Sequence, residues 1–234
     1  MPPESLLRDG LEWPGRARVR RAEAADLVPV GQRLVVVAAH PADEVLGSGG
    51  LLYEATRLGR EVLVIGVTDG DASHPGSSWW PSDKLIQRRL DALEILGVKP
   101  VNLIRTGLGD AQLIRGVPAL TDALRGYLAG GDVVVAPWRW DGHRDHEATA
   151  EAALWACRQA GARLLQTPIW GRRWSEPAAG RRPPGWLLEL PPSAARAKRD
   201  ALAAGESPST PDPEAVRPAW VSARCTSGVE VYLG

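Results

Sequence analysis

The fold is decided by the stretch LVVVAAHPADE, residues Leu34 to Glu44, in which a continuous apolar run passes directly into a polar turn. The run from Leu34 to Ala39 contains three valines and no polar residue. Such a run is typical of a strand that is buried on both faces of a parallel sheet. His40 and Asp43 follow the strand, and in open α/β sheets ligands bind at the carboxyl ends of the strands. This stretch therefore predicts both a central strand and a site at its end.

Outward from this stretch, apolar runs alternate with amphipathic segments. We predict strands over 34–39, 61–68, 101–105, 132–136 and 228–233, with the regular alternation ending at 163–170. We predict helices over 50–58, 83–96, 118–128, 146–160 and 193–204. This rhythm predicts an α/β fold with one doubly wound, Rossmann-like, mostly parallel sheet and helices on both faces. We expect a single domain over 1–234, with a peripheral arm over 1–30 and a long loop excursion over 174–192.

Composition excludes several classes of protein. Lys and Arg number 28, and so do Asp and Glu, so the formal net charge is zero and nothing attracts the whole chain to nucleic acid or an anionic membrane. Two cysteines are too few for a disulfide framework. The run from Leu34 to Ala39 is far shorter than the roughly 18 apolar residues that span a bilayer. We therefore expect a cytoplasmic protein with neither a membrane nor a nucleic-acid partner.

All four histidines follow predicted strands, and short acids accompany them. A lone histidine in a loop is usually structural or solvated, but this concentration on one edge of the sheet favours a site. Two imidazoles and one carboxylate form a ligand set of catalytic zinc, with one position left for water. His40 and Asp43 after the first strand and His146 after the fourth would supply that set, with His143 facing the open position.

Two motifs resemble those of a known family. The segment AHPADE, residues 39–44, resembles the AHPDDE signature of the PIG-L/LmbE-like zinc deacetylases, and HRDH, residues 143–146, resembles that family's HPDH motif. The likeness extends over about residues 33–205. It implies a metal-dependent hydrolase that removes an N-acyl group, such as acetyl, from an amino-sugar substrate of the N-acetylglucosamine type. The implied metal is Zn²⁺, and Fe²⁺ would accept the same ligands.

The resemblance also implies roles for individual residues. It makes His40, Asp43 and His146 the metal ligands. It makes His143 the group that stabilises the oxyanion or protonates the leaving amine, with Asp145 as its hydrogen-bonding partner.

Substrate contacts are less sharply indicated. The resemblance makes Asp110 a sugar-contacting acid, and Arg88 becomes a substrate contact if a gap is placed in the alignment. Asp69 and His74 are candidates to line the pocket. The alternatives are that Asp69 and His74 belong to ordinary turns and that Arg88 lies on a solvated helix face. We expect a small N-acylated sugar as the partner. The sequence leaves open whether the chain forms a homo-oligomer.

Ala42 is the departure that matters, because the family has its general-base Asp at this position. Loss of a general base typically costs about 10²–10⁴-fold in rate. Three explanations stay open: a deliberate substitution, a deacetylase with another base such as His143, Asp71 or Asp141, or a catalytically silent relative. A non-catalytic sensor or scaffold that keeps the metal pocket is therefore the rival function.

A nucleotide-binding protein of this fold ranks last, because it needs a glycine-rich turn where His40 and Pro41 stand. The GSGG segment at 47–50 lacks the spacing of a phosphate-binding fingerprint.

Overall fold

A computed structural model describes residues 19–70, 82–110, 113–170, 185–205, 221 and 225–234. The strands are β1 (Val19–Ala22), β2 (Leu34–Ala38), β3 (Val62–Gly66), β4 (Leu103–Arg105), β5 (Val133–Pro137), β6 (Arg163–Thr167), β7 (Gly185–Glu189) and β8 (Val229–Leu233). The helices are α1 (Ala24–Leu27), α2 (Asp43–Arg57), α3 (Ser82–Ile95), α4 (Val117–Arg125), α5 (Arg144–Ala160) and α6 (Pro192–Gly205). Within the described ranges, no helix has the length and apolar character needed to cross a membrane.

The strands form one sheet in the order β1-β7-β8-β6-β5-β2-β3-β4. Strand β8 is antiparallel to both of its neighbours, and the other described pairings are parallel. The chain runs from β2 outward through β3 to β4 and then returns to β5 on the other side of β2. Ligands bind where the strand order reverses in this way. The predicted doubly wound, mostly parallel α/β sheet is confirmed.

Helices cover both faces of the sheet and create two cores. In β2, Leu34 and Val36 pack into the core under α2, α3 and α6. The alternate residues Val35 and Val37 pack into the core under α4 and α5. Because successive side chains of a strand point to opposite faces, a strand covered on both sides must be apolar throughout. This requirement explains the run that identified β2.

Helix α2 begins at Asp43, so the predicted start at residue 50 is wrong. The glycines of the GSGG segment lie inside the helix. The backbone of Ser48, with φ −145° and ψ 18°, is not helical and divides α2 into two segments. The first segment begins immediately after the turn at His40.

Two peripheral predictions also need correction. The excursion predicted over 174–192 is wrong in its second part, because Gly185–Glu189 forms β7 between β1 and β8. Of the predicted arm over 1–30, the described part adds the edge strand β1, which pairs with β7. Leu27 and Val28 of that part are buried in the core, so it belongs to the packed structure.

Candidate metal centre

The turn between β2 and α2 has an unusual backbone. Ala42 has φ 77° and is the one non-glycine residue of the described chain in the left-handed region. That conformation costs an L-residue roughly 1–2 kcal/mol. The turn is held by the backbone N–H of His40, which donates to Asp43 Oδ2 at 2.8 Å, and by the Ala42 carbonyl, which accepts from Val45 and Leu46. The strained turn places His40 and Asp43 side by side at the end of β2.

Asp43 contacts two histidines, His40 at the end of β2 and His146 after β5, at the point where the strand order reverses. Its Oδ2 lies 3.3 Å from His40 Nδ1 and 3.1 Å from Nε2 of His146, which lies in the first turn of α5. His146 Nε2 makes no hydrogen bond within the described part of the chain, although it is buried. Bonds of about 2.0–2.1 Å in a tetrahedral site place neighbouring ligand atoms about 3.3 Å apart. Both separations from Asp43 therefore suit ligand atoms that share one ion.

Carboxylates bind the far nitrogen of each imidazole. His146 Nδ1 lies 2.6 Å from Asp141 Oδ2, and Asp141 also accepts the backbone N–H groups of Ile169 and Trp170, both at 2.9 Å. His40 Nε2 lies 3.1 Å from Oδ1 of Asp110 and 3.2 Å from Oδ2 of Asp145. A ligating histidine characteristically donates its other N–H to a carboxylate, which fixes the tautomer and the ring. The carboxylates at the far nitrogens are therefore in the places that such partners of ligating histidines take.

The electrostatics of the cluster favour positive charge. Four buried aspartates surround the two imidazoles: Asp43, Asp110, Asp141 and Asp145. Burial alone would lower the pKa of His40, but three surrounding carboxylates, Asp110 first, raise it to about 12. Burial also opposes charge on His146, whereas Asp43 and Asp141 raise its pKa to about 9. Burial alone would raise the pKa of Asp43, but the two imidazoles, His146 first, bring it below its ordinary value. A cation is stabilised here.

His143 lies beside the predicted ligands. Its ring centroid is 4.9 Å from that of His40 and 4.6 Å from that of His146, and Trp170 lies 5.5 Å away on another side. Burial and the two neighbouring imidazoles, His146 first, lower the pKa of His143 to about 4. Its Nδ1 is buried without a hydrogen-bond partner among the described residues. Nitrogen atoms of His40, His143 and His146 lie within 4.8 Å of one another, as do ligand atoms of His40, Asp110 and Asp145.

A buried ion pair beneath the turn was missed by the sequence analysis. Glu44, the residue after Asp43, accepts two hydrogen bonds from Arg89 of α3, at 2.8 and 3.0 Å, and both side chains are fully buried. A Cβ atom on Gly66, the last residue of β3, would lie 2.1 Å from Arg89 Nη1. The strand must therefore end in glycine for the guanidinium to reach Glu44. The apolar periodicity of α3 gave no sign that an arginine in it would be buried.

Residues 35–157, just over half of the chain, match the family described as PIG-L, GlcNAc-PI de-N-acetylase. The chain belongs to the PIG-L family. No curated protein matches it in sequence.

Solved structures with this fold include deacetylases. The conserved protein TT1542 of Thermus thermophilus is 25% identical, with a TM-score of 0.61 over 86% of this chain and 93% of that one. The A40926 pseudoaglycone deacetylase Dbv21 is 21% identical, with a TM-score of 0.65 over 86% and 96% of the two chains. The N,N'-diacetylchitobiose deacetylase of Pyrococcus horikoshii is 18% identical, with a TM-score of 0.62 over 97% and 90%. These likenesses establish the fold that this PIG-L chain shares.

The structure brings together His40, Asp43, His146 and His143 and adds two acids to them. Asp110, predicted to contact sugar, lies against His40. Asp145 also contacts His40, whereas the resemblance implied a hydrogen bond to His143.

The remaining predicted substrate contacts, Asp69, Arg88 and His74, stay predictions. Asp69 pairs with Arg105 at 2.6 and 2.8 Å, so its carboxylate is engaged at the end of β4. Arg88 is half-buried on α3, next to the arginine that binds Glu44. His74 lies outside the described residues, and its role stays a prediction.

Proposed function

We propose that this PIG-L chain is a metal-dependent hydrolase that removes an N-acyl group, typically acetyl, from an amino-sugar substrate of the N-acetylglucosamine type. One observation carries the proposal: Asp43 Oδ2 lies 3.3 Å from His40 Nδ1 and 3.1 Å from His146 Nε2, and each imidazole has a carboxylate on its far nitrogen. The solved deacetylases that share the fold act on a pseudoaglycone and on a diacetylated disaccharide, and they support a sugar substrate.

His40, Asp43 and His146 would hold the ion through Nδ1, a carboxylate oxygen and Nε2. Imidazole and carboxylate donors suit zinc, and iron(II) accepts the same set. When bound, such an ion polarises a carbonyl group and lowers the pKa of water. Asp141 holds the ring of His146 in place, and Asp110 and Asp145 do the same for His40.

His143 is the group that moves the proton. In amide hydrolysis water adds to the carbonyl carbon and loses a proton, and the nitrogen gains one as the C–N bond breaks. Because the pKa of His143 is lowered to about 4, its imidazole is neutral near pH 7. A neutral imidazole can accept the water's proton and return it to the leaving nitrogen.

Ala42 limits the rate, because it has no proton-accepting group where the family has its Asp. Of the alternative bases, Asp141 is fully buried and bonded to His146 and to two backbone N–H groups, which makes it a positioning residue. Asp71 lies outside the described residues. His143 is then the base that the described site offers, and it must serve both proton transfers. We expect slow turnover.

The test is Ala42→Asp, measured as acetate release from a panel of N-acetylated sugars alongside the unchanged chain. We expect at least a tenfold rise in rate, since general-base catalysis is worth about 10²–10⁴-fold. His143→Ala is expected to abolish turnover in the unchanged chain. A rise smaller than tenfold contradicts the argument that a base is missing.

A non-catalytic protein that binds a sugar at the metal site is the second candidate, and Ala42 is the observation that favours it. Calorimetry with N-acetylated sugars separates the two. Tight binding without turnover, in both the unchanged chain and Ala42→Asp, would favour the binding protein.

A further inference from the structure

The GSGG segment in α2 is unexplained by the proposed chemistry, yet it lies between the metal turn and the hydrophobic core. The first segment of α2 carries Asp43 and Glu44, and the second carries the core residues Leu51 and Leu52. The helix breaks between them at Ser48. The angle at this break determines where the first segment, and hence Asp43, points.

Side chains bind three backbone groups next to the break, those of Gly47, Gly50 and Leu51. In a continuous helix, Leu51 N–H would donate to the Gly47 carbonyl. Here that N–H donates to Glu230 Oε2 at 2.9 Å, and the Gly47 carbonyl accepts from Thr167 Oγ1 at 3.2 Å. Gly50 N–H also donates to Glu230, through Oε1 at 2.7 Å. Sharp kinks have identifiable causes of this kind.

Glu230 is itself fixed from the far side. Lys198 of α6 donates to Oε1 at 2.7 Å, and Tyr232 donates to Oε2 at 2.6 Å, so each carboxylate oxygen accepts two hydrogen bonds. Glu230, Lys198 and Tyr232 are all buried. The carboxylate therefore ties α2 to β8 and α6 at the point of the break.

The glycines allow this close approach. A Cβ atom on Gly47 would lie 2.6 Å from Cγ2 of Thr167, and one on Gly50 would lie 2.3 Å from Leu190 Cδ2. Because the χ1 angle of a β-branched threonine is stiff, the methyl group at Thr167 cannot easily move away.

We propose that this clamp, formed by Glu230 and Thr167 around the break at Ser48, sets the orientation of the turn that presents Asp43. Glu230 is then a positioning residue for the metal site, although it contacts no metal ligand. The inference rests on the proposed metal site, so its test needs one readout that uses metal and one that does not.

The first comparison is Glu230→Gln against Asp132→Asn in the full chain. Asp132 is a fair control because it is also buried, accepts the backbone N–H of Ala129 at 2.8 Å and pairs with Arg33. It precedes β5 and so lies at the edge of the sheet opposite the site. The readouts are Co²⁺ affinity, from the ligand-field absorption, and hydrogen exchange of the Val45 and Leu46 amides.

We expect Glu230→Gln to weaken Co²⁺ binding about tenfold or more, as loss of an outer positioning group does. We expect the affinity of Asp132→Asn to stay within about twofold, since distant sites are nearly independent. Val45 and Leu46 should exchange faster in Glu230→Gln alone. Unchanged affinity in Glu230→Gln, or an equal loss in both variants, overturns the proposal.

A second comparison decides the matter if Glu230→Gln does not fold. Gly47→Ala should weaken Co²⁺ binding, because the added Cβ meets the methyl group of Thr167. Gly47→Ala/Thr167→Ser removes that methyl group and keeps the hydroxyl that binds the Gly47 carbonyl. Recovered affinity in the double variant supports the clamp, and affinity that stays as weak as in Gly47→Ala overturns it.

Failure of the proposed metal site is recognised separately. If the unchanged chain binds no Co²⁺, the metal site is wrong. The exchange rates of Val45 and Leu46 then decide alone whether Glu230 positions the turn: faster exchange in Glu230→Gln than in Asp132→Asn supports it, and equal exchange overturns it.

Discussion

Two buried polar clusters lie at opposite ends of the first segment of α2, and they differ in how fully their polar atoms are paired. In the Glu230 cluster, formed by Lys198, Glu230 and Tyr232, both carboxylate oxygens accept two hydrogen bonds. In the metal cluster around His40 and His146, two buried imidazole nitrogens make no hydrogen bond within the described chain, and four aspartates crowd the rings. Native proteins pair nearly all buried polar groups, so exceptions need an explanation. We therefore assign the fully paired cluster to the scaffold and the incompletely paired one to the proposed metal site.

The largest effect is expected from His146→Ala, which removes a ligand from the metal cluster. We expect bound metal, measured by elemental analysis of the purified protein, to fall to background. His143→Ala is the matched control, because its ring is 4.6 Å from that of His146 but is not among the predicted ligands. It should keep its metal and lose its activity. Loss of metal in both variants would make His143 a ligand and break the assignment.

A smaller effect is expected from Asp141→Asn, which weakens the hold on the His146 ring. Outer partners of ligating histidines are typically worth about 10–100-fold in metal affinity. We expect a loss in that range, measured by competition with a chromophoric chelator. Asp69→Asn is the control, since Asp69 pairs with Arg105 at the end of β4. Equal affinity in the two variants would show that Asp141 does not position the ligand.

The smallest effect is expected from Tyr232→Phe, at the edge of the Glu230 cluster. Burial and Glu230 raise the pKa of Tyr232 well above its ordinary value, so the phenol stays protonated and donates to Glu230. Tyr232→Phe removes one of four hydrogen bonds and leaves those from Gly50 and Leu51 in place. We expect a loss of about 1 kcal/mol in the free energy of unfolding, measured by urea denaturation, with unchanged metal affinity.

Tyr127→Phe, at a tyrosine that is 42% exposed, is the control and should change neither quantity. A drop in metal affinity in Tyr232→Phe would contradict the expectation that the bonds from Gly50 and Leu51 hold Glu230 on α2 without the Tyr232 hydroxyl.

The sequence predicted the sheet because β2, β3 and β5 are covered on both faces and therefore carry continuous apolar runs. It also predicted that His40, Asp43, His143 and His146 meet, because the ends of β2 and β5 are adjacent where the strand order reverses. The local sequence pattern was sufficient to predict both the sheet and the meeting of these four residues.

Long-range pairing accounts for what the sequence missed. A glycine-rich segment normally weakens a helix, and only the contacts of Gly47 with Thr167 and of Gly50 with Glu230 explain why α2 passes through it. Arg89 is buried because Glu44 lies opposite it, and β7 is a strand because β1 and β8 flank it. None of these partners is near in sequence.

The most direct test is a crystal structure of the metal-loaded protein with anomalous diffraction data at the zinc edge. We predict one peak about 2.0–2.2 Å from His40 Nδ1, an Asp43 carboxylate oxygen and His146 Nε2. A peak held instead by His40 Nε2 with Asp110 and Asp145, or no peak near His40, would contradict the account.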